Sequence, residues 1–154
     1  MQRRLENERE TAAVAQALAL RARPGDCFAL SGELGAGKTC FARAFIRALA
    51  GDETEVPSPT FMLLQSYDGT LADGAPVAIA HWDLYRIASA SALGELGLEE
   101  GLASNITLVE WPQVASSLLP EDRLNLHFRM GNGSERTLSC EGSAEWRKRL
   151  KGAL

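Results

Sequence analysis

Cysteine, histidine and positive charge are all scarce in this chain. Its 154 residues hold 3 cysteines, Cys27, Cys40 and Cys140, an odd and widely spaced set. That spacing argues against a disulfide framework and makes the reducing cytosol the expected compartment, so the chain is read as cytoplasmic. With only 2 histidines, His81 and His127, a zinc site is not expected. The 16 basic residues are outnumbered by 20 acidic ones, and the net charge of −4 argues against a binder of naked nucleic acid. Residues 3–10 are charged and lack the apolar core of a signal segment. No stretch is long and apolar enough to span a bilayer, and no membrane role is expected. No repeat or low-complexity tract breaks the chain. What remains, 45% hydrophobic and 23% charged residues, suits one globular domain over 1–154 with a sizeable core.

Against that background one stretch is distinctive. Ser31-Gly32-Glu33-Leu34-Gly35-Ala36-Gly37-Lys38-Thr39 fits G-x-x-x-x-G-K-[ST] at Gly32, Gly37, Lys38 and Thr39. The apolar run 26–30 before it predicts a buried strand. After it, Phe41, Phe45, Ile46 and Leu49 fall on one face of a predicted helix over 40–49. Glycines let the backbone wrap a triphosphate and aim its N–H groups inward, here from Leu34, Gly35, Ala36 and Gly37. The helix N-terminus adds partial positive charge, and Lys38 supplies a full charge for the β- and γ-phosphates. The Thr39 hydroxyl is a hard oxygen donor suited to Mg²⁺. The bland alternative, a glycine turn that only caps a helix, does not account for the Lys-Thr pair.

The remaining chain divides as follows. A helix is predicted over 8–21, ended by the Pro24-Gly25 turn. Thr11 on it is read either as a first-turn residue near a cap or as a neighbour of the nucleotide base. Pro57 and Pro59 hold 51–60 extended. Strands over 61–67 and 77–83, joined by a glycine-containing loop, predict an antiparallel pair. A weak helix follows over 89–98, then a strong strand over 106–110 and a helix over 113–119 started by Pro112. Strands over 123–130 and 135–141 form a second hairpin across Gly131-Asn132-Gly133. A helix over 143–151 closes the chain, with Trp146 and Leu150 on one side; the basic group Arg147, Lys148, Arg149 and Lys151 is read as serving its C-terminal end and solvation, with a partner-binding or tRNA-facing role as the alternative.

Glu110 ends the apolar strand 106–110, the pattern of a Walker B acid, and would share the sheet edge of the phosphate loop, opposite Thr39 at Mg²⁺. Asp83 ends another apolar strand. It is read as an acid that orients water or helps place Mg²⁺, or as a cap or ion-pair partner of Arg86. Ser58 and Thr60 are read as a switch-like loop sensing the γ-phosphate, with a plain strand start as the alternative for Thr60. His81 is read as a packed strand residue.

Five segments together resemble the bacterial TsaE proteins, small ATPases of tRNA threonylcarbamoyladenosine synthesis. They are Glu10-Thr11, the loop from Gly32 to Thr39, Val56-Pro57-Ser58-Pro59-Thr60-Phe61, His81-Trp82-Asp83-Leu84-Tyr85-Arg86, and Val109-Glu110-Trp111-Pro112. The resemblance implies an α/β fold of the three-layer P-loop NTPase type, its central sheet mixed and containing antiparallel strands. It implies ATP and Mg²⁺ as cofactors and slow turnover by the chain alone. Lys38 then lies on the phosphates, Thr39 and Glu110 at Mg²⁺, Asp83 in the catalytic set, Thr11 near the nucleotide, and Ser58 and Thr60 in a nucleotide-dependent segment. The implied partner is the TsaD–TsaB complex, which modifies tRNA, so tRNA is met only indirectly. Two positions depart from the pattern. Gln113 stands where an acid often follows E-W-P, which weakens the case for a third carboxylate at the site. Ala15 stands where glycine is common in the first helix, which suggests a different packing of that helix over the base.

Other readings compete. A small-molecule P-loop kinase would need an arginine-rich lid, and between Ala50 and Ile106 the only arginine is Arg86. A GTPase would need an N-K-x-D segment, which the chain lacks. A nucleotide-stabilised interaction module would use an exposed Trp111 for docking.

Overall fold

The computed structural model describes residues 1–58 and 62–154. In chain order its elements are β1 (Gln2–Leu5), α1 (Glu8–Ala19), β2 (Cys27–Gly32), α2 (Lys38–Ala50), β3 (Leu64–Thr70), β4 (Pro76–Asp83), α3 (Ser91–Glu95), α4 (Leu98–Leu102), β5 (Ile106–Glu110), a 3₁₀ turn (Pro112–Ala115), β6 (Leu124–Met130), β7 (Arg136–Glu141) and α5 (Ala144–Arg149). The strands form one sheet in the order β1-β7-β6-β2-β5-β4-β3. Its centre, β6-β2-β5-β4, is parallel. Its edges are antiparallel, with β3 on β4 at one side and β7 then β1 on β6 at the other. The expected α/β fold with a mixed sheet is the one observed.

Side-chain alternation along the central strands builds two cores. Phe28 and Leu30 of β2 face a core shared with Val14 and Leu18 of α1, Phe41 and Phe45 of α2, and Trp146 of α5. Cys27 and Ala29 face the opposite core with Trp82, Leu93, Leu98 and Leu119. The Phe28 ring meets Phe45 edge-on at 4.8 Å between centroids, which ties α2 to the strand that feeds the glycine loop. Helix α1 starts where Asn7 accepts the Glu10 N–H at 3.1 Å, and Glu10 in turn accepts the Glu6 N–H at 2.9 Å. No helix among the described residues is long and apolar enough to cross a membrane.

The structure corrects several expected boundaries. The helix expected over 89–98 is two five-residue helices, because Gly97, left-handed at φ 82°, interrupts the helix between α3 and α4. The helix expected over 113–119 is only the 3₁₀ turn; Trp111 before it is left-handed at φ 57°, no side chain caps the turn, and Pro120 follows. The strand expected over 61–67 begins at Leu64, after Leu63 at φ 60°, and runs on to Thr70; Phe61 lies outside the described residues. Strand β1 was not expected. It pairs Gln2 with Ser139 and Leu5 with Arg136, and the terminal amine donates to the Cys140 carbonyl at 2.9 Å.

All three cysteines are free thiols. Burial pushes the Cys27 thiol up to about 12 and the Cys140 thiol up to about 11, and raises that of half-buried Cys40 as well. Because the thiolate is the reactive form, alkylation of the native chain at mildly alkaline pH should be slow and confined to Cys40, which lines the cleft described next. Peptide mass spectrometry after iodoacetamide checks this, with modification of Cys27 ahead of Cys40 as the contrary result.

Candidate functional site

The parallel strands β2, β4 and β5 end at one edge of the sheet, so Gly32, Asp83 and Glu110 arrive together. A cleft of about 330 Å³ opens there, lined by Leu34, Gly35, Gly37, Lys38, Thr39, Ser58, Asp83 and Glu110 along with Glu8, Cys40, Tyr85 and Trp111. The glycine loop forms its floor. Gly32 sits at φ 134°, and a Cβ there would lie 2.3 Å from the Phe128 carbonyl oxygen of β6. Gly37 at φ 111° caps α2 without a side-chain acceptor, and no acidic residue occupies the first turn. The first N–H groups of α2 are therefore left for an anion. From the other hairpin, Arg136 donates to the Gly35 carbonyl at 3.2 Å and to Gly133 and Glu135 at 2.9 and 2.8 Å, propping the loop from outside.

Lys38 is buried, and its ammonium donates to the carbonyls of Gly32 and Glu33 at 2.6 and 2.8 Å. The Trp111 ring covers it at 4.2 Å and itself packs on Tyr85 at 4.9 Å. Trp111 is thus half-buried at the site rather than an exposed docking aromatic. Burial draws the Lys38 ammonium below its usual range, and the nearby Glu110 and Asp83 carboxylates pull it partly back. Among the described residues lining the cleft, Lys38 is the one cation, against Glu8, Asp83 and Glu110.

The carboxylates have distinct attachments. Glu110 is buried; its Oε1 accepts from the Thr39 hydroxyl at 2.9 Å and its Oε2 from His81 Nε2 at 2.6 Å. Asp83 Oδ1 accepts the Tyr85 N–H at 3.0 Å, a turn-capping contact, while the residue also lines the cleft. Leu34 is exposed at the rim, whereas the Ala36 side chain is buried in the core. Thr11 is buried in α1, one turn beyond Glu8, the α1 residue that reaches the cleft. Ser58 lines the cleft at the end of a segment held by Arg43 and Arg47 of α2, which donate to the Val56 and Thr54 carbonyls at 3.2 and 3.0 Å. Thr60 lies outside the described residues.

The contacts of His81 with Glu110, of Arg136 with the loop and of Trp111 with Lys38 were not expected from the sequence. The alternation His81-x-Asp83 already puts both side chains on one strand face, a usable signal; nothing local joins Arg136 to a loop 101 residues away. A larger hollow of about 590 Å³ lies between the end of α1 and the β3–β4 loop, lined in part by Arg21, Arg23 and Arg149. Arg149 there is already paired with Asp26, and neither a glycine loop nor an acid-ended strand reaches it, so the chemistry points to the smaller cleft.

Strand, glycine loop and helix facing acid-ended parallel strands define the P-loop class of fold. Comparison with known proteins is more specific. The family described as "Threonylcarbamoyl adenosine biosynthesis protein TsaE" matches residues 5–138. The protein named "tRNA threonylcarbamoyladenosine biosynthesis protein TsaE" from Rickettsia bellii is 39% identical over 132 residues, covering 86% of this chain and 88% of the relative. The protein of the same name from Bacillus subtilis is 37% identical over 135 residues, covering 86% and 80%. The crystal structure of Bacillus subtilis YdiB superposes with a TM-score of 0.78 at 29% identity, covering 99% of this chain and 93% of that one. The chain belongs to the TsaE family.

Proposed function

We propose that this chain binds ATP with Mg²⁺ in the cleft, hydrolyses it slowly on its own, and serves tRNA threonylcarbamoyladenosine synthesis by acting on the TsaD–TsaB complex. The observation that carries the ATPase reading is the 2.9 Å contact between the Thr39 hydroxyl and Glu110. It joins the last residue of the phosphate-loop motif to the acid at the end of β5, the two groups an NTPase needs side by side. The pathway assignment rests on family membership and on the names of the relatives.

In this reading the α2 N-terminus and the loop amides hold the α- and β-phosphates, and Lys38 exchanges its carbonyl acceptors for β- and γ-phosphate oxygens. The donor set fits magnesium. No cluster of three or more His, Cys, Asp or Glu side chains suited to a metal is present among the described residues. Mg²⁺ ordinarily takes one or two protein oxygens and completes its shell with phosphates and water. Thr39 and Glu110 would hold it, and it would supply charge neutralisation for the leaving phosphate. Asp83 accepts a hydrogen bond from the attacking water and orients it; the water oxygen bonds to the γ-phosphorus as the β–γ bridging P–O bond breaks, ADP leaves with the bridging oxygen, and the water's proton passes by way of Asp83 to the inorganic phosphate that is released.

The test is ATP hydrolysis by the purified chain with Mg²⁺, alone and with its cognate TsaD–TsaB complex. A slow basal rate raised by the complex is expected. Glu110→Ala should lose about tenfold or more of the Mg²⁺-dependent rate. A rate indifferent to the complex would remove the partner assignment, and normal turnover in Glu110→Ala would remove the Walker B role.

A further inference from the structure

We propose that His81 is a positioning residue, holding Glu110 in the orientation that receives magnesium; this deepens the ATP–Mg²⁺ reading above and rests on it. Strands β4 and β5 are parallel, with His81 opposite Leu108 and Asp83 opposite Glu110. His81, Asp83 and Glu110 therefore share one face of the sheet. Directly opposed carboxylates on adjacent strands lie about 5 Å apart at Cβ and repel. In this structure they have different partners: Asp83 takes the Tyr85 N–H, whereas Glu110 is gripped between Thr39 of α2 and His81 of β4. With one oxygen fixed from each side, the Glu110 carboxylate is set against the Thr39 hydroxyl before any ligand arrives.

The imidazole has no other polar task among the described residues. It is fully buried, its Nε2 meets Glu110 at 2.6 Å, and among the described residues its Nδ1 has no partner. The pattern assigns the proton to Nε2, since an ionised carboxylate only accepts. Burying a polar imidazole is costly, and an apolar residue would pack this strand face without that cost. The contact with Glu110 is what a leucine could not provide. Groups that orient a metal's carboxylate ligand are worth about 10- to 100-fold in metal affinity in other proteins.

The experiment compares three variants of the full chain. In Gln the amide nitrogen reaches the place of Nε2, whereas in Asn it stops near Nδ1, so His81→Gln keeps the donor to Glu110 and His81→Asn and His81→Leu lose it. Calorimetry gives the affinity for a non-hydrolysable ATP analogue in EDTA and in excess Mg²⁺, and the ratio is the readout. The expected result is a magnesium gain near wild type in His81→Gln and about tenfold smaller in His81→Asn and His81→Leu, with the EDTA affinities of all three unchanged. If His81→Leu fails to fold, the Gln and Asn pair, both polar and of similar size, still decides the question. A wild-type gain in the Asn variant, or an equal loss in EDTA and in Mg²⁺, overturns the positioning role while leaving the nucleotide reading intact. If the wild-type chain shows no magnesium gain at all, the magnesium reading falls and this inference falls with it.

Discussion

Replacing Lys38 with alanine is expected to weaken ATP binding by roughly 100-fold, about 3 kcal/mol, the usual scale for truncating one partner of a buried charged contact. Lys38 is the one cation among the described residues lining the cleft, which also carries the carboxylates of Glu8, Asp83 and Glu110. Its ammonium already sits in the loop, bound to the Gly32 and Glu33 carbonyls and covered by Trp111. A triphosphate entering the cleft thus meets a preplaced charge with little solvent left to shed. Without it, the loop amides and the helix N-terminus remain but face an acidic wall unaided. Titration of ATP into the variant with Mg²⁺ checks the result, and an affinity within about threefold of wild type would show that the phosphates do not depend on this ammonium.

The second large effect is expected on stability. Gly32→Ala should cost about 3 kcal/mol or more, combining a strained backbone with a steric clash, and lower the melting temperature by roughly 10 °C for a chain of this size. The new Cβ would lie 2.3 Å from the Phe128 carbonyl oxygen, at a φ of 134° that side chains rarely adopt. That oxygen belongs to the backbone of β6, so relief requires moving β2 away from β6. Gly35→Ala is the matched control. Its Cβ would meet nothing within 4 Å at φ 78°, so only the backbone penalty of about 1 kcal/mol applies. Differential scanning calorimetry of both variants separates clash from conformation. Equal melting temperatures would mean that the β2–β6 contact yields freely.

The two substitutions probe different layers of the same loop. Lys38 carries ligand chemistry that a reader of the sequence can name from residue type and spacing. The special burden on Gly32 comes from a strand lying nearly a hundred residues downstream. Glycine at that position is part of the motif, but the motif does not say which atom would be struck.

The same division runs through the molecule. Wherever local chemistry and periodicity decide the outcome, the sequence alone was sufficient: the glycine loop between β2 and α2, the acid at the end of β5, and the two hairpins with their turn residues. The spacing of Phe41, Phe45 and Ile46 had to bury one face of α2. Wherever the partner lies far along the chain, only tertiary structure could decide. Strand β1 is a strand because the backbone of β7 completes its hydrogen bonds; three of its four residues are exposed and carry no apolar alternation. Arg136 reaches Gly35, and Trp111 covers Lys38, through the order in which the strands are laid side by side. His81 is the instructive middle case. Its shared parity with Asp83 was readable, but its 2.6 Å contact with Glu110 exists only because β4 and β5 are parallel neighbours in a fixed register. Residue types set what chemistry is available to the chain, and strand order and register decide which of those groups meet.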